Sequence, residues 1–229
     1  MVLEPIGGAR RTLADEAYQR ITGAMLSGAL APGSRLVMDT IAEELAISRT
    51  PVRDALRRLE QEGLIEAAGR RGFVVREIAS KEIQETYEAR EAIEGYAARL
   101  AARVGAPAAA HVEDAIVRAA DFDVSTPLGS YQANRLVHRS VVEAGGNKIL
   151  LDLFDDLWSR GKAHQIYVNC FGGDDSHEAV RRKHRPIVRA IKRGEGDAAE
   201  SAMVAHLREG LSMHHVEDEQ EPEASASPP

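Results

Sequence analysis

The chain has 229 residues, of which 44% are hydrophobic and 4% aromatic, with one cysteine and a formal charge of −7 at pH 7. This composition predicts a soluble, mainly helical protein with an aliphatic, alanine-rich core, and the lone Cys170 excludes an internal disulfide framework. No segment reads as a signal peptide or as an apolar span of about 18 residues, so the expected location is the cytoplasm, with no membrane partner.

In chain order, residues 1–10 read as an arm. Leu13, Ala17, Ile21, Ala24 and Met25 recur at helical spacing over 12–27. Ala31-Pro32-Gly33 marks a turn. Asp39 or Thr40 starts a short helix to Ala46, with Ile41 and Leu45 on its inner face. Thr50-Pro51 opens a second helix, striped by Val52, Leu56 and Leu59 and stopped by Gly63. Leu64-Ile65, the turn Gly69-Arg70-Arg71-Gly72 and Phe73-Val74-Val75 form a hairpin, or wing. From there the pattern is helical throughout, over 80–103, 106–121, 128–144, 147–169, 176–193 and 196–215. Residues 217–229 are acidic, then rich in Ser, Ala and Pro, and predict a disordered tail.

The fold class expected is mainly α. A winged helix-turn-helix of three helices plus a β-hairpin wing (1–78) precedes an all-α helical-bundle sensor domain (79–216) and the tail (217–229). The acidity is unevenly spread between these parts. Residues 1–78 carry 11 Arg, no Lys and 11 acids, and within 49–76 seven arginines face four acids. A locally basic surface on a neutral domain suits phosphate contact.

In a helix-turn-helix the second helix enters the major groove and its N-terminal residues reach the bases. Arg49, Arg53 and Arg57 lie at four-residue steps, away from Val52, Leu56 and Leu59. One face packs and the other carries guanidinium groups that fit guanine O6 and N7 or phosphate. Ser48 and Thr50 add phosphate donors, and Arg71 and Gly72 form a wing tip that reaches an adjacent groove. The competing explanation, a solvated arginine face, does not account for helix, turn, helix and basic wing occurring in this order. The segment Ile41-Ala42-Glu43-Glu44-Leu45-Ala46-Ile47-Ser48-Arg49-Thr50-Pro51-Val52-Arg53-Asp54-Ala55-Leu56, with Leu59-Glu60, Glu62-Gly63-Leu64-Ile65 and Gly72-Phe73-Val74-Val75, resembles the GntR family of bacterial regulators over residues 12–76. The resemblance implies that Arg49 and Arg53 contact DNA and that Gly72 is the wing glycine. It also implies that Asp39 stands where some members carry a further arginine.

Of eight histidines, His111, His164, His177, His214 and His215 have no partner at ligand spacing. Asn134 and His138 share a helical face, and His184 and His206 lie on two later helices. Three converging helices would bring these groups together, and neutral imidazoles suit first-row metals. Spacing alone leaves open histidines satisfied by ordinary hydrogen bonds. The motifs Glu88-Ala89-Arg90-Glu91-Ala92-Ile93-Glu94, Asn134-Arg135-Leu136-Val137-His138, Ala144-Gly145-Gly146-Asn147, His184-Arg185-Pro186-Ile187 and Ala202-Met203-Val204-Ala205-His206-Leu207 resemble the FCD sensor domain of the FadR subgroup. That resemblance implies a divalent metal on one Asp and three His, with Asn134 at the Asp position. Zinc is the first expectation, nickel or manganese the alternatives.

An effector carboxylate would then reach the metal, with Arg90 or Arg160 completing its recognition and Tyr131 and Trp158 lining the pocket. The expected function is a homodimeric DNA-binding regulator, a repressor of a pseudo-palindromic double-stranded operator, controlled by a small organic acid. A purely metal-responsive regulator is the alternative. A zinc hydrolase is a remote one, since no base is paired with the ligands in an HExxH pattern.

Overall fold

The computed structural model describes residues 12–69, 72–159 and 176–213. Helix α1 (Leu13–Leu26) opens with a reciprocal capping box between Thr12 and Asp15. Strand β1 (Arg35–Leu36), helix α2 (Met38–Glu44), helix α3 (Arg49–Gln61) and strands β2 (Ile65–Ala67) and β3 (Phe73–Val75) follow. The strands form one antiparallel sheet in the order β1-β3-β2. The sequence predicts the β2–β3 hairpin, whereas the third strand is new. Arg35 pairs with Val74 and Leu36 with Phe73, so the turn at Ala31-Pro32-Gly33 delivers the chain to the outer edge of the wing.

Helix α3 begins at Arg49, ahead of the expected Thr50-Pro51 start, with Ser48 at the cap position. Val52, Ala55, Leu56 and Leu59 are its buried stripe. They join Ala17, Ile21, Leu36, Ile41, Leu64 and Val75 in one core. Burying side chains of this size contributes about 1.5–3 kcal/mol each, and that stripe sets which face of α3 remains outside.

A second core begins at Ile78. Helix α4 (Ser80–Arg90) runs through a single π-helical turn (Glu91–Gly95) into α5 (Tyr96–Val104). Then come α6 (Ala106–Arg118), a short 3₁₀ turn (Ala119–Asp121), α7 (Pro127–Ala144), α8 (Lys148–Ser159), α9 (His177–Arg193) and α10 (Gly196–Ser212). The small residues Ala98, Ala101, Ala102, Ala109, Ala190 and Ala199 fill the contacts between helices, so the backbones approach closely. Gly95 serves the same end: a Cβ there would meet Val204 Cγ2 of α10 at 3.1 Å.

The expected uninterrupted helix over 80–103 therefore contains a widened turn. The arm, the wing residues Arg70 and Arg71, residues 160–175 with Arg160, His164 and Cys170, and the tail from 214 with His214 and His215 lie outside the described residues. Among the described residues no helix is long and apolar enough to cross a membrane.

Candidate metal centre and nucleic-acid interface

Packing of α3 through Val52, Leu56 and Leu59 turns Ser48, Arg49, Thr50, Arg53 and Arg57 outward, and all five are exposed. Arg49 Nε lies 2.9 Å from Asp39 Oδ1 of α2. Arg53 Nε lies 3.7 Å from Asp54 Oδ1, beyond hydrogen-bonding distance. Arg58 points elsewhere: it pairs with Glu62 at 3.0 Å and stacks over the Tyr18 ring. Gly72 has a task inside the fold. Its φ is 143°, and a Cβ there would fall 2.5 Å from the Leu36 carbonyl oxygen of β1. The glycine lets the wing lie against the third strand.

In the C-terminal bundle, α7, α9 and α10 bring His138, His184 and His206 together, with one ligand nitrogen of each within 4.8 Å of the others. His138 Nε2 is 3.1 Å from His206 Nε2 and 3.2 Å from His184 Nε2. These spacings match those around a tetrahedral zinc, where Zn–N bonds of about 2.0–2.1 Å put neighbouring nitrogens about 3.3 Å apart. The opposite ring nitrogens are committed. His138 Nδ1 faces the Glu94 carboxylate, and His184 Nδ1 lies 2.7 Å from the Val180 carbonyl. A carbonyl and a carboxylate only accept, so both Nδ1 atoms carry a proton and both Nε2 atoms turn inward. His206 Nδ1 is shut off from solvent and has no partner among the described residues.

Burial lowers the His184 imidazole to about 3, with His138 adding to the effect. Burial also drives His206 well below its usual value, with His184 and His138 contributing. Both rings are therefore neutral at pH 7 and available as ligands.

Glu94 is the residue that sequence reasoning missed. It sits on the π-helical turn, wholly buried. Besides His138 it accepts from Arg90 Nε at 2.9 Å and from Trp158 Nε1 at 3.3 Å. Burial pushes its carboxyl up, but Arg90 and His138 outweigh that and hold it at about 2. Single π turns recur at functional sites because they redirect one side chain. Arg90 thus lies beside the centre, as expected, but its guanidinium engages Glu94, between the rings of Tyr87 and Trp158. Tyr131 donates to the Trp158 carbonyl at 2.5 Å, and the Trp158 ring stands 5.8 Å from that of His138. Asn134 lies one turn before His138 on α7, half-buried. His111 and His177 lie apart from the cluster, against Glu143 and the Phe122 carbonyl.

The family model for the FCD domain matches residues 85–209, and that for the bacterial regulatory proteins of the gntR family matches residues 13–75. The chain belongs to the GntR family and carries an FCD domain. This GntR–FCD protein is 32% identical over 201 residues to a probable D-xylose utilization operon transcriptional repressor of Paenarthrobacter nicotinovorans, covering 86% of this chain and 87% of the relative. It is 29% identical to the transcriptional regulator McbR of Escherichia coli K12 over 81% of this chain and 85% of McbR. Among solved structures, McbR superposes with a TM-score of 0.65 at 19% identity, covering 90% of this chain and 98% of that one. A GntR regulator from Rhodococcus sp. RHA1 reaches 0.68 at 21% identity, covering 87% and 95%. These superpositions establish the shared fold. The GntR–FCD protein is a DNA-binding transcriptional regulator, and the relatives are regulators rather than hydrolases.

Proposed function

We propose that this GntR–FCD regulator is a repressor that reads a pseudo-palindromic operator as a homodimer. A small organic acid, bound beside a divalent ion in the C-terminal bundle, relieves the repression. The proposed division is 1–78 for DNA reading, 79–216 for sensing and 217–229 as tail. Reading of the major groove falls to Arg49, Arg53 and Arg57, with Ser48 and Thr50 on phosphates and Arg71 in the wing. Two-fold symmetric proteins read two-fold related half-sites, and a relative named as a repressor favours repression.

The sensing half is carried by one observation: three buried or half-buried imidazoles from separate helices that turn one nitrogen each toward a common point. Their Nε2 atoms stand 3.1 and 3.2 Å apart, spacings that one bound cation would suit. His138, His184 and His206 would hold it, with the Asn134 carbonyl oxygen as a neutral fourth donor. The donor set suits zinc first, and nickel or manganese next. A divalent ion there supplies positive charge and open positions to an oxygen ligand such as a carboxylate. Glu94 holds the His138 ring in its ligating tautomer, and Arg90 and Trp158 hold Glu94. Arg90 keeps its proposed role toward the effector carboxylate beside this one. Arg160 is the second candidate for effector recognition.

The test is a melting-temperature screen of full-length protein against sugar acids, hydroxy acids and dicarboxylates, with Zn²⁺ present or chelated. A ligand that binds only the folded state raises the melting temperature. The expected result is an acid that stabilises the protein only with metal and weakens operator binding. Loss of operator binding on adding Zn²⁺ alone would make the metal the signal. Stabilisation by an acid that persists under chelation would overturn the metal-assisted site.

A further inference from the structure

The outer face of α9 is a stripe of one sign. The helix holds seven basic residues against one acid, Glu178. Ala179, His184, Ile187, Val188 and Ile191 bury its inner face in the bundle. Arg181, Arg185, Arg189 and Lys192 recur at three- and four-residue steps, so they share the opposite face, and all four are exposed. Among the described residues none of these four makes an ion pair. An ordinary solvated helix face mixes signs, because like charges four residues apart repel.

The same chain supplies the opposite charge close by. Residues 217–229 hold five acids and no Lys or Arg. Helices α9 and α10 are joined by Gly194 and Glu195 and run antiparallel, with the His184 and His206 rings 4.5 Å apart. Met213, just past the end of α10, is thereby level with His177 at the start of α9. The chain leaves the bundle beside the N-terminal end of the stripe. The lengths also agree. Arg181 to Lys192 spans about 17 Å of helix. Glu217 to Glu223 reaches about 20 Å when extended, and residues 214–216 provide about 10 Å to cross from one helix to its neighbour.

We propose that the acidic tail, Glu217 to Glu223, lies along the Arg181, Arg185, Arg189 and Lys192 stripe of α9 and covers it. Tethering keeps the tail at an effective concentration of about millimolar, so weak pairing suffices and the tail needs no fixed structure. The cover withholds the stripe from other polyanions. Left open, a basic face outside α3 would hold the regulator to DNA without reading sequence.

The experiment places a nitroxide on the tail of full-length protein, at Ala224→Cys in a Cys170→Ser background, and reads the broadening of backbone amide signals. Broadening at 185–192 of α9 is expected. It should vanish at about 1 M salt, where screening is short-ranged, and in a neutralised tail carrying Glu217→Gln, Asp218→Asn, Glu219→Gln, Glu221→Gln and Glu223→Gln. The neutralised tail should also tighten binding to a duplex of arbitrary sequence about tenfold. Adding Arg181→Gln, Arg185→Gln, Arg189→Gln and Lys192→Gln should cancel that gain with the melting temperature unchanged, since the four positions are exposed. Broadening that is equal in the neutralised tail reports only the tether and overturns the proposal. Broadening of α3 in place of α9 puts the tail on the DNA-reading helix and overturns it too. A gain in DNA binding that survives the stripe substitutions makes the tail a diffuse repulsive charge rather than a cover, with the same consequence.

Discussion

Glu94 sets the tautomer of His138 in the three-histidine centre. As an ionised acceptor on His138 Nδ1 it fixes the tautomer and raises the basicity of the inward nitrogen. Glu94→Gln keeps an acceptor but removes the charge and leaves Arg90 buried without its ion pair. Zinc affinity should then fall about 10–100-fold in a competition titration with a chromophoric chelator. Adding Arg90→Met removes the stranded cation, so folding recovers while the metal affinity stays low.

The same residues set a pH dependence. His184 drops from an ordinary 6.5 to about 3, and Glu94 from 4.5 to about 2. In both cases the unfolded chain binds protons more readily than the folded one, so stability rises with pH. The His184 contribution is fully present above 6.5 and is lost as pH falls toward 3. The Glu94 contribution is present above 4.5 and is lost toward 2. The melting temperature of chelated protein should fall as pH drops from 7 to 5, and His184→Asn should flatten that stretch. A flat wild-type profile there would contradict the buried neutral histidine.

At the scale of elements, the proposed reading falls to α3 and the wing. Arg53→Ala should lose about 1–3 kcal/mol of operator binding in a fluorescence-anisotropy titration, with folding unchanged. Gly72→Ala should act on folding instead, because its Cβ would press on the Leu36 carbonyl at 2.5 Å and its φ is positive. A loss of about 1–3 kcal/mol in denaturant unfolding is expected. Both elements are legible in the sequence for physical reasons. The apolar stripe Val52, Leu56, Leu59 fixes which way the arginines face, and paired glycines punctuate a hairpin. Strand β1 is not legible, because two residues carry no periodicity and its partner lies far along the chain. The π-helical turn is equally hidden, since it widens the helix without breaking it. The histidine trio is legible mainly through its resemblance to the FCD motifs, since separate helices and Asn134 one turn from His138 leave ordinary hydrogen-bonded histidines open. Glu94 escapes the same reading because its partner is 44 residues away and the helix register that aims it inward is irregular.

At the scale of the molecule, the N-terminal core and the C-terminal bundle are joined by the short stretch between Val75 and Ser80. A signal from the histidine centre has to reach α3 through that connection or through contacts such as those of α1 with α7. Coupling between ligands is reciprocal, so an organic acid that weakens operator binding must itself be weakened by operator to the same degree. All of this depends on the centre holding a cation. The most direct test is the metal content of purified full-length protein, compared with a variant carrying His138→Ala, His184→Ala and His206→Ala. The account predicts about one divalent ion per chain, removable by a chelator with a fall in melting temperature and lost in the variant. Native protein without stoichiometric metal, and with a melting temperature indifferent to added Zn²⁺, would contradict it.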